Sequence, residues 1–387
     1  MERLPGNAER NRVHAGVILS LILLPGCMPD EAAQGRMLRH LDRAFENATS
    51  DGNAAVAARL LAAKGYAWDD RALLLDALAR AELSSNPSVL ADAEYRYGQY
   101  LGKHGQFEES LGHTARVIDL LGAQGERLQQ AVVMTYGGRC YGARAGRLDE
   151  SLAYARRAYE AGDELDDAKL RALRAMEAEP YMYKGDWDAV VRVAEQGLPK
   201  AWEIREWNAV LCSSVWLSMA YLKLGKPDDA KRILDRAFKE VPFRGIGAAG
   251  MATSVHGVAL TKIVLAQLHL AVGDTAQALS AAEMALEFAE QYRLGLEQGA
   301  THRIFGEVYQ AMGNRAEADA AFRRSLEVLS EIQSRPELAQ TLLAYGRFRR
   351  GDNALVDRGL IERALALFEE MNATGWIEEA GASLAAG

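Results

Sequence analysis

The string "GIGAAG", residues 245–250, has the G-x-G-x-x-G spacing that lets a backbone close around a pyrophosphate at a helix N-terminus. That chemistry needs a strand before the turn. Here the string follows "EVPFR" with no strand signal, so it reads as a loop between helical segments, long enough to form a lip over a groove. The seven histidines (His14, His40, His104, His113, His256, His269, His302) contain no H-x-x-x-H pair, and His269 reads as a packed helix residue. "DELDDAK" (163–169) precedes a helix and reads as a solvated turn favouring its positive end rather than a metal site. In "HRIFGE", Arg303 and Glu307 stand four apart, the spacing of a surface ion pair. No phosphate loop and no local Ser–His–Asp or Cys–His signature occurs, so the residues make no case for an enzyme, a cofactor or a metal.

Composition narrows the class further. The 387 residues are 49% hydrophobic and 25% charged, with only 9 prolines, which favours helix nearly throughout. A net charge of −8 does not suit a protein built to bind phosphate backbones, and no nucleic acid is expected. Cys27, Cys140 and Cys212 are odd in number and lie on apolar segments, as buried free thiols do. No stretch reaches the roughly 18–20 apolar residues of a membrane span.

The elements that would position any site follow one pattern: an apolar-periodic stretch, a glycine, a second amphipathic stretch. "AYLKLGKPDDAKRILDRAF", "LHLAVGDTAQALSAAEMALE" and "VYQAMGNRAEADAAFRRSLE" show it clearly. The glycines are Gly105, Gly146, Gly185, Gly225, Gly273 and Gly313, spaced 41, 39, 40, 48 and 40 apart. Glycine after a helix's last turn supplies the left-handed backbone that closes it. Five residues on stand Ser110, Ser151, Val190, Ala230, Ala278 and Ala318, and twelve on stand Val117, Ala158, Gly197, Ala237, Ala285 and Ser325. These mostly small residues allow two antiparallel helices to approach closely. The ladder extends to Gly65 and Gly26 in one direction and Gly351 in the other. The expected fold is all-α: a right-handed α-solenoid of about nine hairpins with repeats of about forty residues. It forms a single unit over 1–387, with 1–50 as first repeat, 51–371 as further repeats and 372–387 as a capping helix.

This hairpin resembles the tetratricopeptide repeat (TPR). "IFGEVYQAMGNRAEADAAF" (304–322) places Gly306, Tyr309, Gly313, Ala318 and Phe322 as that family does. The longer period, the opening "ERLPGNAER … MPDEAAQGRMLRHLDRAFENA" and the ending "ERALALFEEMNATGWIEEAGASL" are similar to C-terminal repeat regions of large bacterial signalling ATPases. Those regions occur with adenylate/guanylate cyclase or transcriptional-regulator modules. The resemblance therefore implies an upstream ATPase or cyclase module as a neighbour, and a sensing or scaffolding role without output machinery.

The concave face is where such solenoids bind. In the glycine register it comprises Tyr95, Gln99, Tyr136, Cys140, Glu179, Met182, Met219, Gln267, Arg303 and Glu307, a mixture that suits an extended peptide or a helix. The expected function is a non-enzymatic scaffold for a protein or peptide partner in bacterial signalling. The alternatives are a small-molecule sensor of a transcriptional regulator and a lipid-anchored periplasmic assembly factor. The last turns on "VHAGVILSLILLPGCMPD" (13–30), which imitates a lipoprotein signal ending at Cys27. Pro25 in the box, Glu2 and Glu9 before it, and Gly26 on the ladder favour instead a buried first helix and a cytoplasmic location.

Overall fold

The computed structural model describes residues 42–50, 52–241, 255–350 and 354–385; these are helices joined by short turns, with no strand among them. After α1 (42–50) come eight hairpins. They are α2 (Ala54–Trp68) with α3 (Arg71–Leu83), α4 (Pro87–Lys103) with α5 (Phe107–Ala123), and α6 (127–145) with α7 (Leu148–Glu164). Then follow α8 (168–184) with α9 (Trp187–Glu203), α10 (Trp207–Lys223) with α11 (Pro227–Glu240), and α12 (Val255–Ala271) with α13 (Thr275–Gln291). Last are α14 (Gly295–Ala311) with α15 (Arg315–Glu331), α16 (Arg335–Arg349) with α17 (Ala354–Glu370), and α18 (Thr374–Ala385).

All six clear ladder glycines lie in turns at positive φ, between 70° and 84°. The positions five and twelve residues further on are buried in every described repeat. The serines among them do more than save space. Ser110 Oγ donates to Gly98 O (2.7 Å) and Ser151 Oγ to Arg139 O (2.6 Å), pinning the second helix of the hairpin to the first. In the TPR-like string, a Cβ on Gly306 would stand 2.7 Å from the Phe322 ring, so the two helices meet at a distance only glycine allows.

Gly65 departs from the expected pattern. It lies inside α2, and the left-handed turn residue is Asp69 (φ 61°). A Cβ on Gly65 would fall 2.9 Å from Leu74 N, so this glycine serves the close approach of α3 rather than the turn. Gly26 and Gly351, like "GIGAAG" and Cys27, lie outside the described residues.

A second ladder closes the hairpins onto their successors. Ser85, Gly125, Asp166, Arg205, Arg293, Gln333 and Asn372 all have positive φ, and consecutive ones are about forty residues apart wherever both repeats are described. Five of the six non-glycine members are polar or charged residues other than asparagine, holding a backbone conformation that costs about 1–2 kcal/mol per residue.

The superhelix closes on itself. Among the described residues, hydrogen bonds between residues more than a hundred apart fall into two groups. Separations of 188 to 194 join Lys184 Nζ to Asn372 O (2.8 Å), Ser334 Oγ to Arg144 O (3.2 Å), Arg335 Nε to Ala145 O (2.9 Å) and Trp376 Nε1 to Met182 O (3.3 Å). Separations of 223 and 227 join Asn372 Nδ2 to Asp149 (3.1 Å) and Arg335 Nη2 to Glu108 (2.8 Å). The two groups differ by about one repeat. Each early hairpin tip thus sits in the notch between two late hairpins, and α14–α18 stack on the edge formed by the turns of α4–α9. The apolar core is correspondingly continuous from Ala91 to Trp376 and Ala380.

Candidate functional site: the inner wall of the superhelix

The first helix of each hairpin lines the inside, and stacking of the late repeats encloses that wall. At its start on α4, Tyr95 is half-buried and burial pushes its hydroxyl up to about 12. Gln99 is buried and accepts from Arg96 Nη1 (3.3 Å). On α6 the segment "MTYGGR" (Met134–Arg139) forms a π-helical stretch between α-helical halves. Gly137 and Gly138 make room there for Thr114 and the Tyr154 ring, which occupy the space a Cβ would need. The wider turn alters the register of the helix face, a feature often found at functional sites. Tyr136 lies within this stretch and Cys140 directly follows it, both half-buried; burial pushes the Cys140 thiol up to about 11.

Charge concentrates at the middle of the wall. Glu179 on α8 is 2% exposed and accepts from Arg139 Nη1 (2.5 Å) and Arg144 Nε (3.3 Å). Arg139 also donates Nε to Thr135 O (3.2 Å) and lies 5.8 Å from the Trp216 ring centroid. Glu297 on α14 is 1% exposed, accepts from His256 Nδ1 at 2.8 Å through Oε1, and has no hydrogen-bond partner at Oε2. Burial would raise its carboxyl, but His256 and Arg144 bring it below the usual range. Burial likewise pushes up the hydroxyls of Tyr136, Tyr141 and Tyr183, so these phenols are neutral donors.

The remaining expected groove residues divide. Met182 is buried in the core beneath Trp376, while Met219 and Gln267 are half-buried. Arg303 and Glu307 do not form the expected surface pair. Arg303 is 4% exposed and donates to Glu337 Oε2 of α16 (2.6 Å), because this face of α14 turns inward onto the next repeat. Glu307 is half-buried, and burial raises its carboxyl. Sequence spacing did not single out Arg96, Arg139, Arg144 or Glu297. Arg139 directly follows the only Gly-Gly pair on the chain, with Arg144 five residues further on; that pair is the one local signal of an unusual helix there.

Elsewhere, Asp167 of "DELDDAK" caps α8 by accepting from Leu170 N (2.8 Å), and Asp163 pairs with Arg171 and Arg174. His269 is half-buried near the end of α12. Between α6 and α7 an open depression of about 210 Å³ is lined by Arg127, Gln130, Arg157, Glu160 and Glu164, with Arg127 and Glu164 already paired across it. Among the described residues no three His, Cys, Asp or Glu side chains are grouped to hold a metal, and no helix is long and apolar enough to cross a membrane.

No family model matches this sequence, and no curated protein matches it. Solved structures do. A Rap protein complexed with competence and sporulation factor is 12% identical, with 98% of this chain and 99% of that chain covered and a TM-score of 0.51. Human IFIT1, a dimer with PPP-AAAA, is 16% identical over 99% of this chain and 86% of that one, with a TM-score of 0.50. This chain is a tetratricopeptide-like α-solenoid. A STAND protein with a tetratricopeptide repeat sensor from Pyrococcus horikoshii is 13% identical, covers 98% of this chain and 55% of that one, and has a TM-score of 0.49. The alignment with the Rap protein runs along nearly the whole of both chains.

Proposed function

We propose that the solenoid is a non-enzymatic scaffold that takes a peptide or an extended protein segment against the inner wall of its superhelix, in a bacterial signalling or regulatory pathway. The observation that carries this reading is the character of the wall. Tyr95, Tyr136, Tyr141 and Cys140 keep part of their surface accessible while lying deep inside the molecule, next to buried charged groups with bonding capacity to spare. Aromatic faces with fixed polar groups read an extended chain by alternating pockets and hydrogen bonds. The Rap protein and IFIT1 are both described with a bound partner, competence and sporulation factor in one case and PPP-AAAA in the other. Both support the use of this fold as a receptacle.

The test removes polar groups without changing the wall's volume. A chain carrying Tyr95→Phe, Tyr136→Phe and Gln267→Met is compared with the intact chain by affinity capture from the native host, after thermal unfolding confirms that both are folded. Loss of the intact chain's specific partners is the expected result. Recovery of the same partners in the same amounts would refute the inner wall as the binding surface.

A further inference from the structure

The glycine tips that end the first helices lie along one edge of the superhelix and are unequally covered. Gly105, Gly146 and Gly185 are buried, and a Cβ there would meet Ile332, Met371 and Trp376 of the late hairpins. Gly225, Gly273 and Gly313 have the same left-handed backbone, with φ between 70° and 80°. They are exposed, and nothing among the described residues lies within 4 Å of a Cβ built on them. The residues just before these three are all apolar: Leu224, Val272 and Met312. Leu224 is half-buried, but Val272 is 60% and Met312 is 41% exposed. At the covered tips the same place holds His104, Ala145 and Lys184, the last donating to Asn372 O (2.8 Å).

The turns that join one hairpin to the next lie along the opposite edge and divide the other way. Late ones press onto early tips through the residue before their left-handed member, Ile332 at Gly105 and Met371 at Gly146. In early repeats the same place holds Leu165 and Ile204, before Asp166 and Arg205. Leu165 is 39% exposed, and this early edge also shows Leu83 (85% exposed) and Leu128 (42% exposed). The contact that closes the superhelix therefore joins unlike edges and uses half of each. The late half of the tip edge and the early half of the turn edge stay open, and both carry apolar side chains in neighbouring repeats. Apolar residues grouped in this way mark a contact surface rather than ordinary scattered exposure.

We propose that a second copy of this chain continues the closing contact, setting its early inter-hairpin turns on the late tips of the first. The occupant must present a row of turns with the spacing of the late tips. This chain shows that such a fit works, through its own late turns, and carries a matching exposed row in its early repeats. Because unlike edges meet, the contact is heterologous: each copy in a pair keeps one further edge open. Association then runs past two copies to a ring or a filament. This surface is separate from the inner wall and does not depend on what the wall binds.

Sedimentation of the full chain from about 1 to about 100 µM tests the proposal, a range that reveals contacts of micromolar affinity. The weight-average mass should rise with concentration and pass twice that of one chain. One variant blocks the tip edge, Val272→Glu with Met312→Glu; another blocks the turn edge, Leu128→Glu with Leu165→Glu. All four positions are exposed, so thermal midpoints should stay within about 2 °C of the intact chain. Each variant alone should remain monomeric. An equimolar mixture of the two offers one intact edge of each kind and should form pairs and nothing larger. Serine at the same positions, which adds no charge, should weaken association about tenfold or more.

An intact chain that stays monomeric throughout would overturn the proposal. So would association that survives both variants, or a mixture that stays monomeric although each variant melts like the intact chain. Association lost in one variant and untouched in the other would replace the contact with a two-fold one between like edges, and would overturn it as well.

Discussion

Replacing Gly185 by alanine tests how the superhelix closes, with Gly313→Ala as its internal control. Both glycines end the first helix of a hairpin in the left-handed region, at φ 72° and 78°. Alanine there costs about 1–2 kcal/mol for the backbone alone. At Gly313 nothing lies within 4 Å of the added methyl, so the cost ends there. At Gly185 the methyl would fall 2.9 Å from Trp376 N and 3.1 Å from Gly375 C, atoms of backbone that cannot rotate aside. The α17–α18 turn must move, which strains the bonds from Lys184 Nζ to Asn372 O and from Trp376 Nε1 to Met182 O. Overpacking of this kind adds about 1–3 kcal/mol.

The expected loss is therefore about 2–5 kcal/mol for Gly185→Ala against about 1–2 kcal/mol for Gly313→Ala. Equilibrium unfolding in urea measures both. An open repeat array unfolds through nearest-neighbour steps, but contacts between its ends bind distant repeats into one cooperative unit. Gly185→Ala should accordingly broaden or split the transition and enlarge the radius of gyration seen by small-angle X-ray scattering. Gly313→Ala should do neither. Equal losses for the two variants, within about 0.5 kcal/mol, together with an unchanged radius, would refute the idea that these tips clamp the late hairpins.

Two further outcomes follow from buried or paired groups. Asp69 is held down to about 2: burial opposes ionisation, but the hydrogen bond from His104 and the Lys103 charge outweigh it. A depressed carboxylate contributes stability above its unfolded pKa near 3.9 and loses it as pH falls toward 2, so acid titration of stability should show a fall of ~1–2 kcal/mol across that window, after allowance for solvent screening. Asp69→Asn, which tolerates the left-handed turn, should flatten this component; an identical acid profile would refute the assignment. Burial pushes the thiols of Cys140 and Cys212 up to about 11 and about 12. In a Cys27→Ser chain at pH 8, with about one thiol in a thousand ionised at Cys140, labelling by a disulfide reagent should be slow until denaturant is added. Fast labelling of the native chain would contradict the burial.

What the sequence revealed of the fold was whatever a residue type must announce. A turn that only glycine closes cheaply, recurring every forty residues, marks Gly105 through Gly313, and small residues at fixed offsets mark where paired helices touch. The second ladder of left-handed residues had no such marker, because Arg205, Arg293 and Gln333 carry side chains with no preference for that conformation. Gly65 shows the opposite failure: a glycine on the right spacing that serves a close contact while Asp69 makes the turn. At the candidate site, local spacing paired Arg303 with Glu307, whereas the enclosing repeat offers Glu337, thirty-four residues away, in a geometry with both partners out of water.

Closure accounts for both the missed pairings and the missed charges. Each repeat adds a small rotation to the last, and no residue encodes the sum. Only after the array returns on itself does the ladder split into Gly105, Gly146 and Gly185, crowded by Ile332, Met371 and Trp376, and Gly225, Gly273 and Gly313, which meet nothing. The same return turns an open concave face into an enclosed wall. An arginine on an open face can be left to water, but on an enclosed one it must find an anion. Arg139, Arg144 and Arg303 find theirs within the chain. Arg96 is left, among the described residues, with the Tyr66 ring, the charge of Asp92 that Arg59 already shares, and one long bond to Gln99.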